Sequence, residues 1–136
     1  MKIPLLLLAL LTLAMPLQAG EEKHPIDRAM DAAMEKDPST AGMVQAISKA
    51  NKQWDKEMNA LYQDLKKTMA AEEWAALVTA QKAWLVYRDA QTKSLVETYG
   101  RMEGTMWIPV SASAVMGLTK DRALFLQSLK DTVSER

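Results

Sequence analysis

Cysteine is absent from the 136 residues. The chain therefore has no disulfide, no thiolate metal site, no cysteine nucleophile and no cysteine to carry a lipid. The single histidine, His24, falls in an expected flexible start, so neither a histidine-based triad nor a multi-histidine metal site is open to it. No sign of charge dominates, because 17 basic and 17 acidic side chains cancel. No run of Lys or Arg supplies the basic patch with which nucleic-acid binders release phosphate counterions, so a nucleic-acid partner is excluded. Glycine and proline number only 5 each, which leaves long stretches without a turn signal.

Long apolar runs are also scarce. The one present, Leu5 to Leu13 interrupted by Thr12, follows the basic Lys2 and precedes Pro16 and a small-residue site at Leu17-Gln18-Ala19. That order is the pattern of a secretory leader. The run falls short of the roughly 20 residues a membrane-spanning helix needs, and no second candidate follows. Residues 1–19 are read as a signal peptide and 20–136 as the mature domain. The expected product is a small periplasmic or secreted protein with no membrane association after cleavage.

What remains is helical. Ile26, Met30, Ala33 and Met34 mark one face of a short segment from Pro25 to Lys36, with Asp27 in its first turn. Asp37-Pro38-Ser39-Thr40 reads as a turn and an N-cap. From Ala41, the positions Met43, Ile47, Ala50, Trp54, Met58, Leu61, Leu65 and Met69 recur every three or four residues and define one long helix. A break is expected at Thr68 to Glu73, with Thr68 as a cap and two carboxylates opening the next helix. That helix runs to about Tyr99, stops at Gly100, and has an apolar arc wide enough for neighbours on two sides. Arg101 to Pro109 reads as a loop. A last helix starts at Pro109 or Val110 and carries Val115, Leu118, Phe125, Leu126, Leu129 and Val133. No strand alternation occurs. The fold class is all-α, a small antiparallel bundle of three long helices and a short N-terminal one.

Two polar clusters interrupt the apolar faces. Asp55, Asn59 and Tyr62 share a face of the second helix, and Gln81, Trp84 and Arg88 share a face of the third. In an antiparallel hairpin turning near Ala71, Asp55 lies level with Arg88, Asn59 with Trp84, and Tyr62 with Gln81. One register thus aligns all three pairs. It predicts an Asp55–Arg88 ion pair and a Gln81 hydrogen bond near Tyr62. Such a seam is read first as a structural network that fixes helix register, and second as a recognition site.

The same residues carry a family resemblance. Asp55-x-x-Met58-Asn59-x-x-Tyr62-x-x-Leu65, followed by Ala80-Gln81-Lys82-Ala83-Trp84-Leu85-Val86-Tyr87-Arg88-Asp89-Ala90, resembles the secreted family named for the lysozyme inhibitor LprI. Gly104-Thr105 and the downstream Leu118-Thr119-x-x-Arg122 extend the likeness to about residues 30–130. The resemblance implies a secreted helical domain that binds lysozyme or another envelope protein. Relatives usually carry cysteines at positions that match Ala46, Thr92 and Ala114 here. The resemblance therefore implies the same helices held without disulfides, by packing of tryptophans and methionines.

Other chemistry finds little support. The carboxylate pairs Glu72 with Glu73 and Asp27 with Asp31 read as helix-start or solvated-face charges. Ser111 and Ser113 have no evident base, so no enzyme, no catalytic residue and no cofactor is expected. The spacing of Met30 with Met34 and of Met102 with Met106 fits core filling better than Cu(I) capture, and no metal site is expected. The candidate docking surface is the loop end at Arg101, Glu103, Met106, Trp107 and Ile108, where a rigid aromatic in a Gly- and Pro-bounded segment is either an anchor for a partner or a cap folded over the bundle. The alternative reading is an envelope-stress or chaperone-like module that binds through an apolar helix face without inhibiting lysozyme.

Overall fold

The computed structural model describes residues 22–136, so the expected leader at 1–19 lies outside the described residues. Four helices follow one another: α1 (Pro25–Lys36), α2 (Thr40–Thr68), α3 (Ala71–Tyr99) and α4 (Trp107–Ser134). They pack as the all-α bundle that the periodicity implied, with no strand among the described residues.

Helix α1 begins at Pro25, where a missing N–H costs nothing. His24 caps it, its Nδ1 accepting the Ile26 N–H at 3.2 Å. The His24 ring also rests on Trp54, with centroids 4.3 Å apart, so this residue is fixed where the sequence reading placed a flexible start. At the α1–α2 corner, Asp37 accepts from the Ser39 N–H at 3.1 Å and from its hydroxyl at 2.7 Å. Ser39 then caps α2 by accepting the Gly42 N–H at 3.0 Å. Gly42 is required here, because a Cβ would collide with the Asp37 carbonyl oxygen and carboxyl carbon.

Helix α2 is the centre of the molecule. Its stripe of Ala46, Ile47, Ala50, Trp54, Met58, Leu61 and Leu65 is buried between α1 on one side and α4 on the other. Asp64 meets Lys130 at 2.8 Å, and Asp55 and Thr119 border one groove, so α2 and α4 run in the same direction and α3 runs antiparallel to both. The corner before α3 differs in detail from expectation. Thr68 donates back to the carbonyls of Asp64 and Leu65, and it is Glu73 that satisfies the start of α3 by accepting the Ala70 N–H at 3.1 Å.

Helix α3 departs most from the sequence reading. It touches neighbours on two sides as expected, α4 on one and α2 on the other through Arg88 with Asp55, Gln81 with Met58 and Trp74 with Tyr62, yet it buries only Leu77 and Gln81. Val86, Tyr87 and Val96 face outward. Its apolar residues are spread around the helix, so no single stripe could be drawn into the core. Helix α4 begins at Trp107, two residues before the expected start. The Trp107 and Ile108 N–H groups reach back to the carbonyls of Gly104 and Thr105 at 3.4 and 3.2 Å. Pro109 tolerates the first turn because its absent N–H would have no partner there. Met116, Thr119, Ala123, Leu126 and Val133 form the buried face, which leaves Phe125, one of the apolar positions that marked this helix in the sequence, exposed.

Candidate functional site

Two regions hold the residues singled out by sequence. The first is the polar seam. Asp55 accepts a hydrogen bond from Arg88 Nη1 at 3.1 Å, which ties α2 to α3 in the register that aligned them. Asn59 turns back on its own helix and donates to the Asp55 carbonyl oxygen at 2.8 Å and to the carboxylate at 3.2 Å. Gln81 does not reach Tyr62. Its amide oxygen accepts from Arg122 Nε at 2.9 Å, and its amide nitrogen points at the Met58 sulfur at 3.8 Å. Tyr62 packs instead against Trp74 in a tilted arrangement, with centroids 4.6 Å apart.

Arg122 is the member of this cluster to which sequence reasoning gave no role. Trp84 lies between two guanidinium groups, Arg88 at 5.1 Å and Arg122 at 5.7 Å from its ring centroid, and Arg122 also lies 5.1 Å from the Phe125 ring. These are cation–π distances. Burial pulls the Arg122 guanidinium below its ordinary pKa, and its Nη2 has no hydrogen-bond partner among the described residues. The only signal available beforehand was the Leu118-Thr119-x-x-Arg122 block, which does not say what the arginine touches. The cluster packs and orients side chains.

A second buried ionic group was missed. Asp27, read as a surface charge at a helix start, is buried. It accepts from Lys120 at 2.6 Å and from the Trp54 indole N–H at 3.3 Å, which pins α1 to both α2 and α4. Asp31, its neighbour one turn on, is paired at the surface with Lys23 at 2.7 Å.

The second region is the loop end. After α3, Gly100 stops the helix while keeping a right-handed φ of −65°. The left-handed position is Gly104, at φ +97°, where a side chain would strain the backbone. Arg101, Glu103, Met106 and Ile108 are exposed. Trp107 is half-buried, stacked on Tyr99 with centroids 5.9 Å apart and planes at 24°. Val96, Tyr99, Met102, Trp107 and Ile108 line an open groove of about 460 Å³. Trp107 thus braces the loop, while Met102 (42% exposed), Met106 (62%) and Ile108 (52%) present apolar surface around it.

The family model described as Lysozyme inhibitor LprI matches residues 30–126, a span that includes both regions. The chain belongs to the LprI family. A crystal structure of an uncharacterized protein from Burkholderia thailandensis is similar at 31% identity and a TM-score of 0.78, over 85% of this chain and 58% of that one. This LprI-family chain therefore spans 58% of the length of that solved chain. No curated protein matches it. Within the family pattern, Gln81, Trp84, Arg88 and Arg122 converge on one cluster although 41 residues separate Gln81 from Arg122. Among the described residues, no helix is long and apolar enough to cross a membrane.

Proposed function

We propose that this chain is a secreted or periplasmic binding module that inhibits lysozyme by docking its loop end over the enzyme's active-site cleft. The observation that carries the reading is the apolar groove lined by the exposed Met102 and Ile108 and braced by Trp107, with the exposed Met106 in the same loop, in a chain of the LprI family. Large apolar side chains held in water on a rigid support are what protein interfaces use as anchors. Arg101 stands beside Met102 with no ion-pair partner among the described residues and supplies a cation toward an acidic cleft. Glu103 lies at the loop's edge. Asp55, Asn59, Tyr62, Gln81, Trp84 and Arg88 have a structural role, setting the angle at which α3 delivers the loop. Residues 1–19 act as the export signal.

The test is a muramidase assay with the mature protein against goose-type, chicken-type and invertebrate-type enzymes. Ile108→Ser and Arg101→Ala should each weaken inhibition about tenfold or more with helicity unchanged, as for interface anchors. Trp107→Ala should weaken it by loosening the loop. Unchanged inhibition in all three would refute the loop as the docking surface. The exposed Val86 and Tyr87, adjacent on α3, favour a second reading, a chaperone-like module. It requires suppression of client aggregation with no effect on any muramidase.

A further inference from the structure

With no cysteine and ten methionines, the thioether is the oxidisable sulfur of this chain. Its methionines are placed unevenly. Met58 and Met116 are buried, while Met30, Met34, Met43 and Met69 are half-buried. Met102 and Met106 alone among the described residues are exposed, and both stand in the segment joining α3 to α4. Met102 lines the groove beside Tyr99, Trp107 and Ile108, and Met106 immediately precedes the first turn of α4.

We propose that Met102 and Met106 are an oxidation-responsive pair through which two-electron oxidants such as hypochlorous acid turn the exposed surface of the loop end from apolar to polar while the bundle stays folded. This regulation rests on the loop end being the docking surface. In the reaction, one oxygen atom is added to each thioether sulfur, two electrons pass from sulfur to chlorine, and the oxidant leaves as chloride and a proton. The product is a sulfoxide, a polar and chiral group in place of a flexible apolar one. Both residues are exposed, so the reaction requires no opening of the core, and Met58 and Met116 are shielded until the helices separate. A partner closing over the oxidised surface would bury an unpaired sulfoxide oxygen. Docking then weakens about tenfold or more, as expected for an unsatisfied buried polar group. Sulfoxide reductases reverse the change.

The experiment treats the mature protein with increasing equivalents of hypochlorous acid and follows each methionine by peptide mass spectrometry, with circular dichroism in parallel. Met102 and Met106 should gain the first two oxygens per chain while helicity and melting temperature hold. Equal reactivity of the half-buried methionines, or loss of helicity with the first two oxygens, overturns the proposal without reference to any partner. In the muramidase assay, inhibition should fall in step with oxidation of these two residues, and Met102→Leu/Met106→Leu, whatever inhibition it starts from, should lose none of it on treatment. A doubly substituted protein that is inactivated as fast as the parent overturns the proposal. Absence of inhibition by the untreated protein speaks against the lysozyme reading instead, and leaves the order of oxidation to decide the pair.

Discussion

At residue scale, the two interhelix ion pairs near the tryptophans differ in what they hold. Arg88 and Asp55 are 25% and 49% exposed in their side chains, so water screens the pair and the register contact is weaker than a buried bridge. Arg88→Ala should destabilise by about 1 kcal/mol. Asp27 is buried and serves both Lys120 and the Trp54 indole. Asp27→Ala leaves a half-buried ammonium and a buried N–H without partners, and should cost about 2–4 kcal/mol. Urea denaturation of the two variants measures the order, and an Arg88→Ala loss equal to that of Asp27→Ala would contradict it. Arg88→Ala with unchanged stability but no partner binding would instead make the seam a recognition site. The Asp55–Arg88 contact was legible because both residues sit on neighbouring helices at a constant register sum. The Asp27–Lys120 contact was not, because its partners lie 93 residues apart and Asp27 has the local pattern of an ordinary first-turn acid.

At the scale of elements, periodicity located α1, α2 and the body of α3 and α4, since each carries apolar residues at helical spacing and turn residues at its ends. It failed where neighbours decide. Which face of α4 is buried depends on how α2 presents Trp54 and Met58, so the apolar positions that marked α4 include the exposed Phe125 and leave out the buried Met116 and Ala123. The short first helix shows how much an element depends on its corner. Gly42 lets α2 approach the Asp37 turn, and a methyl group there meets backbone as well as the carboxyl group. Gly42→Ala should therefore destabilise by about 1–3 kcal/mol despite the higher helix propensity of alanine. Thermal melts will check this, and a stabilised variant would show that the corner relaxes freely.

At the scale of the whole molecule, the bundle has two unlike ends. The end holding the α2–α3 corner and the C-terminus is clasped by Asp64 with Lys130 at 2.8 Å and Glu73 with Arg136 at 2.6 Å. The opposite end, from Gly100 to Ile108, has no interhelix ion pair among the described residues and is held by Tyr99 against Trp107. Hydrogen bonds from Lys130 and then Lys67 hold the Asp64 carboxyl below its ordinary pKa. Arg136, and after it the Ala70 N–H, do the same for Glu73. A carboxylate depressed in the folded state stabilises it above the ordinary carboxylate range, and that contribution fades as pH falls through this range toward the depressed values. Asp64 in turn raises Lys130, whose contribution is present below the ordinary lysine range and is lost as pH rises through its elevated value. All four groups are solvent-accessible, so salt should shrink both effects. Acid is thus expected to loosen the corner end first. Hydrogen exchange at falling pH should show residues 64–73 and 130–136 losing protection before 100–112, with a smaller pH response in Asp64→Asn. Simultaneous loss at both ends would mean that the clasp and the loop open as one cooperative unit.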